Sequence, residues 1–209
     1  MIDYARRNFM NDERIDFDIF DIQTKNLPAG YIEEFDHIFS YPTLHSRNDI
    51  QQEFKNVFDM LKPEGCFHMA IVVMHDAFRL YNRMENHPVY GKYFKKYSSP
   101  FHYAINAEDD LKRLLRNVGF TVKYCRTKSD MKYETDYLLP FIFFGLPFMH
   151  EIPLEQAEDL KETLTTRFNR MEKMINRQYP NNPDYEEYHT DLYEIIEIHA
   201  CKPSNIPYV

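Results

Sequence analysis

Asp21 closes the apolar and acidic alternation of "FDIFDIQTKNLP", residues 17 to 28, and a carboxylate placed there has two uses. It can accept from an exocyclic amine while the next backbone N–H, that of Ile22, donates to a ring nitrogen, a pairing that reads an adenine edge. It can equally start the turn from Gln23 to Pro28, because aspartate accepts from its own backbone two residues on. A second exit, Ser40-Tyr41 before Pro42, follows the apolar pair Ile38-Phe39. If both segments are strands of one parallel sheet, the two exits face one crevice beyond the carboxyl ends, where open α/β sheets bind ligands.

Other chemistries have less support. The nine histidines form neither an HExxH nor an HxH pair, so no metal is expected. No GxSxG is present, which leaves serine or cysteine catalysis without its elbow. Gly30, Gly65, Gly91, Gly119 and Gly145 each stand alone, so neither GxGxxG nor GxxxxGK[ST] can be written. Cys66, Cys125 and Cys201 are odd in number, far apart and set in apolar runs, which predicts reduced thiols in a cytoplasmic protein.

The elements that must position these residues follow from periodicity. "MIDYARRNF" reads as helix, with Ile2, Ala5 and Phe9 three and four apart. "RIDFDIFDI" alternates with period two and reads as a strand, and "EEFDHIFS" as a buried one. Ile50, Phe54, Val57, Phe58 and Leu61 mark one helical face, with Asn48 as cap and Pro63 and Gly65 as stop. "CFHMAIVVM" is a strand apolar on both sides. Leu111, Leu114, Leu115 and Val118 form the face of the next helix, capped by Asn106 with Asp109 in the capping-box position and ended by Gly119. "FTVKYCR" is a strand, "YETDYLLPFIFFGLPFM" and "PLEQAEDLKETLTTRFNRMEKMINRQY" are helical, and "LYEIIEIHACKP" is a closing strand. Strands alternating with helices make an α/β sheet with helices on both faces.

Bulk properties bound the rest. A chain of 209 residues, 44% apolar and 28% charged, is one soluble globular domain by default. A net charge of -8 repels phosphate backbones, so nucleic acid is not an expected partner. No apolar run reaches the roughly 20 residues of a membrane helix. Seventeen Phe and sixteen Tyr without Trp suit either an aromatic core or a wide apolar pocket.

"MIDYAR", "RIDFDIFDIQTKNLP", "EEFDHIFSYPTLH", "NVFDMLKPEGCFHMAIV" and "LLRNVGFTV" resemble, in order and spacing, the class I S-adenosylmethionine-dependent methyltransferases. The likeness runs toward the arthropod juvenile hormone acid methyltransferase group, from residue 1 to about residue 125, and continues more loosely to the closing strand. It implies that Asp21 and Ile22 read the adenine of S-adenosylmethionine and that Ser40 and Tyr41 lie along its ribose and methionine. Leu44, His45 and Ser46 would border the methyl group and the acceptor, where the hormone-acid enzymes usually carry a tryptophan in place of Ser46. The family's glycine-rich loop and first strands would precede residue 1. In the family's sheet order, 3-2-1-4-5-7-6, the strand at residues 15 to 21 would then have no neighbour.

The expectation is therefore α/β: an incomplete Rossmann-like methyltransferase sheet, mostly parallel, with helices on both faces. It forms a single domain over residues 1 to 209, amino-terminally truncated relative to the family. The expected activity is methyl transfer to a small apolar carboxylic acid of the juvenile hormone acid or farnesoic acid type. No catalytic residue is needed, and Phe78, Tyr81, Tyr137, Phe141, Phe143, Phe144 and Phe148 are available to wall the acceptor or to pack a core. The alternative is a non-catalytic relative that binds a ligand or another protein.

Overall fold

The computed structural model describes residues 2–9, 13–41, 49–96, 101, 104–129, 146, 148–178 and 193–204. Four strands form one sheet: β1 (Phe35–Ser40), β2 (Leu61–His75), β3 (Thr121–Ser129) and β4 (Tyr193–Cys201). Their order is β1-β2-β4-β3. The last strand is thus inserted between the second and third, as in the 4-5-7-6 half of the order that the resemblance implies.

The expected mostly parallel pairing is not what forms. β1 and β2 are parallel, but β2–β4 and β3–β4 are both antiparallel. The reason is where the chain re-enters: Ser129 at the end of β3 pairs with Glu194 at the start of β4, so β4 runs back from the end β3 has just reached. β1, β2 and β3 still point one way, and the reversed strand between them converts two of the three ladders.

Helices α1 (Ile2–Phe9), α2 (Ile50–Met60), α3 (Asp76–Met84), α4 (Gly91–Lys96), α5 (Ala107–Val118) and α6 (Leu154–Gln178) complete the described elements. α2 and α5 cover one face of the sheet, because Phe54, Val57, Leu111 and Leu115 meet Phe67, Met69, Ile71, Ile196 and Ile198 in one cluster. Each such side chain contributes roughly 1.5–3 kcal/mol by leaving water. Asp49 caps α2, its side chain accepting from the Gln52 N–H, one residue beyond the expected Asn48. Asn106 precedes α5 without a side-chain cap bond. Gly119 ends α5 at φ 120°, where a Cβ would lie 3.0 Å from the Phe58 ring, so only glycine turns the chain there without strain. Pro63 and Gly65, expected to stop α2, lie inside β2, where the register with β1 slips between Phe35 and His37.

Among the described residues, the second face is covered by α3. α3 reaches it at Val72, against Phe78 and Ile195. At the other end Phe39, His68 and His199 stack in a row, with centroids 4.8 and 4.5 Å apart, and Phe39 is 64% exposed. β1 is accordingly an edge strand and not the buried one expected. A separate apolar cluster joins α3, α4 and α6 through Leu80, Met84, Phe94, Leu160 and Phe168. The Tyr90 hydroxyl donates to Asp159 (2.6 Å) within it, and burial with that bond pushes the phenol up to about 12.

Two further expectations are corrected. Residues 15–21 form no strand. The N–H groups of Phe17 and Ile19 donate instead to the carboxylates of Asp16 and Asp18 (2.7 Å each), so the acidic half of the alternation supplies acceptors that a neighbouring strand would have supplied. The segment is tied down by Arg6 to the Phe17 carbonyl and by Tyr31 to Asp18. Cys66 and Cys201 are not separate reduced thiols but a disulfide, because antiparallel pairing sets these two residues, 135 apart in sequence, directly opposite each other. Cys125 is free, and burial pushes its thiol up to about 11.

Candidate functional site

Without a strand partner, the Asp21 exit is positioned by a turn pinned to α2. Asp21 Oδ1 accepts from the Gln23 N–H (3.0 Å) and its carbonyl accepts from the Thr24 N–H (3.0 Å), so the turn anticipated as the second use of this residue does form. Asn56 Nδ2 then donates to the Ile22 carbonyl (2.6 Å) and the Thr24 carbonyl (2.7 Å). Gln52 supports it by donating to Asn56 Oδ1 (2.9 Å) and the Thr24 carbonyl (3.3 Å), and Gln23 donates to Glu53 (3.0 Å). Glu53 and Asn56 are buried, at 0% and 2% exposure. Buried polar groups persist only when bonded, so this seam on α2 fixes the loop as firmly as a ladder would. Ile22 meanwhile packs on the same apolar cluster as Ile38 of β1.

An adenine edge requires an acceptor and a donor side by side. Asp21 is exposed; its second carboxylate oxygen and the Ile22 N–H make no bond among the described residues, while the first oxygen and the Ile22 carbonyl hold the turn. The residues present therefore fit the adenine end of such a cofactor.

The remaining expected site residues separate. Ser40 ends β1 opposite Met69 of β2, and Tyr41 next to it is 58% exposed. Leu44, His45, Ser46, Tyr137, Phe141, Phe143 and Phe144 lie outside the described residues. Phe78, 5% exposed, packs on Val72 and stands 6.1 Å from the Tyr81 ring, which in turn lies 5.6 Å from Phe94. Burial raises the Tyr81 phenol, and Phe148 is buried with Phe94. These rings are packed in the core.

A cavity of about 490 Å³ opens at the carboxyl ends of β2 and β3, lined in part by Val73, Met74, Asn106, Glu108, Thr127 and Glu194. Among the described residues, none of the expected site residues lines it. Its Glu108 carboxylate accepts from Lys112 (2.5 Å) and from the Thr127 N–H (3.0 Å) and hydroxyl (3.1 Å), and the Lys112 bond above all holds it below the usual carboxylate range. Sequence reasoning missed this clamp and the α2 seam. The signal for the seam was present in "IQQEFKN", where Gln52 and Asn56 fall four apart on a helix otherwise read for its apolar face.

No family model matches the chain. It is 24% identical over 209 residues to the juvenile hormone acid O-methyltransferase of Drosophila melanogaster, with 97% of this chain and 68% of that protein covered. Against the juvenile hormone acid O-methyltransferase of Bombyx mori it is 28% identical over 208 residues, covering 97% of this chain and 72% of that protein. Among solved structures, a Bacillus halodurans C-125 protein described in methyltransferase terms superposes with a TM-score of 0.52 at 13% identity, covering 97% of this chain and 79% of that one. The chain is therefore similar in sequence to juvenile hormone acid O-methyltransferases and similar in fold to a methyltransferase.

Proposed function

We propose that this chain takes part in methyl transfer from S-adenosylmethionine to a small apolar carboxylic acid. The carrying observation is the turn at Asp21-Ile22, held by Asn56 with one carboxylate oxygen and one N–H left to a ligand. When bound, S-adenosylmethionine supplies an electrophilic methyl group on a sulfonium centre. Asp21 and Ile22 hold the adenine, while Ser40 and Tyr41 extend along the ribose and methionine. Leu44, His45 and Ser46 border the acceptor, with Tyr137 and Phe141 as its wall; Phe78 and Tyr81 support that wall from α3.

The chemistry asks for alignment and dryness more than for a base. A carboxylic acid is already ionised at neutral pH, and positioning alone supplies much of the acceleration in such a displacement. That agrees with a site whose designated residues include no acid–base pair. A single domain over residues 1 to 209 belongs to the same reading.

Calorimetry of the 209-residue chain with S-adenosylmethionine tests it, followed by labelled methyl transfer to farnesoic acid. Micromolar binding is expected, and Asp21→Ala weakens it roughly tenfold, the worth of one charge-assisted hydrogen bond. The five isolated glycines favour a second reading, a non-catalytic binding protein, since none offers the close backbone approach of a phosphate or methionine loop. Binding without transfer to any apolar acid supports that reading. No binding to this chain overturns the first.

A further inference from the structure

On the face of the sheet opposite α2 and α5, β2 and β4 place four metal-capable side chains together. Alternate residues of a strand share a face, so Cys66-Phe67-His68 and His199-Ala200-Cys201 each present two. Antiparallel pairing sets Cys66 opposite Cys201 and His68 opposite His199. The Cα atoms of the cysteines are 4.1 Å apart, and the ligand atoms of Cys66, His199 and Cys201 all lie within 4.8 Å of one another.

We propose that, once reduced, Cys66, Cys201 and His199 bind one divalent metal of the zinc class, with a fourth position facing His68. Ligand type supports this, since two thiolates and an imidazole are what zinc selects. So does distance. With Zn–S near 2.3 Å and Zn–N near 2.0 Å, neighbouring ligand atoms of a tetrahedral site sit about 3.5 Å apart. Cys201 Sγ and His199 Nε2 are 3.4 Å apart. The His68 ring stacks on His199 with centroids 4.5 Å apart. Cys66 and His199 are accessible to solvent in part.

The disulfide and the metal are alternative occupants of the same sulfurs. Two equivalents of a small-molecule thiol break the S–S bond, yield two S–H groups and are themselves oxidised to a disulfide. The metal then takes both thiolates and releases two protons.

The test is a titration of the full chain, reduced anaerobically with a phosphine, with Co²⁺ as a spectroscopic probe and Zn²⁺ as competitor. One metal per chain is expected, with thiolate-to-cobalt charge-transfer bands and the visible absorption of tetrahedral cobalt, both bleached by Zn²⁺. Cys66→Ser, Cys201→Ser and His199→Ala should each weaken binding by roughly 100-fold, while Cys125→Ser leaves it unchanged. Where a variant fails to fold, alkylation of the native chain decides: Zn²⁺ should protect two thiols, those of Cys66 and Cys201. Absent charge-transfer bands, equal binding by Cys201→Ser, or alkylation indifferent to Zn²⁺ overturns the proposal. Because its ligands are none of Asp21, Ile22, Ser40 and Tyr41, a failure of metal binding and a failure of cofactor binding are read separately.

Discussion

Asn56 is the residue on which the adenine end depends. It satisfies two loop carbonyls from a fully buried position, so Asn56→Ala leaves the Ile22 carbonyl without its donor and the Thr24 carbonyl with Gln52 alone. The expected loss is about 1–3 kcal/mol in urea unfolding, accompanied by weaker S-adenosylmethionine binding. Asn56→Asp should be worse, since a carboxylate would face two carbonyl oxygens. Glu108 gives a pH-dependent counterpart at the other exit. Its folded pKa lies below the ordinary carboxylate value, first because of the Lys112 hydrogen bond, so its contribution is present above that ordinary value and fades as pH falls through the lowered one. Glu108→Gln should flatten the acid limb of stability measured between neutral pH and about pH 3. Asp21 was legible in the sequence as a carboxylate with two uses. Asn56 was not, because a polar residue on an amphipathic helix reads as surface until the loop that covers it is known.

At the scale of elements, helices α2, α5 and α6 and strands β2, β3 and β4 follow from apolar periodicity, since each buries residues of its patterned face, whereas β1 buries none. Residues 15–21 show where the pattern misleads. Period two marks an extended chain, and extended it is, but a strand exists only with a partner. Here the alternating carboxylates satisfy the backbone instead. Cys66 and His68 were missed as a pair for a similar reason: their meaning depends on which strand lies opposite. Gly119 was legible as a helix stop, and its φ of 120° beside Phe58 explains why. Gly119→Ala should lower stability by about 1 kcal/mol or more, checked by thermal unfolding, whereas the same change at Gly30, where nothing lies within 4 Å of the added Cβ, should cost less.

For the whole molecule, the Cys66–Cys201 link closes a loop of 135 residues. Chain entropy alone assigns such a closure about 5 kcal/mol. The oxidised chain should therefore unfold at distinctly higher urea concentration than the reduced, metal-free chain, and Cys201→Ser should abolish the difference. The half-sheet and its order agree with the resemblance seen in the sequence, but the reversal of β4 was not legible, because strand direction depends on where the chain re-enters the sheet. The position of β4 has one more consequence, and it concerns synthesis. β2 and β3 never pair with each other; each waits for β4, which lies between them. As the chain grows from its amino terminus, the sheet cannot close until residues 193–201 have emerged, so both long strands remain open edges through most of translation, the interval in which a nascent chain is most exposed to wrong partners.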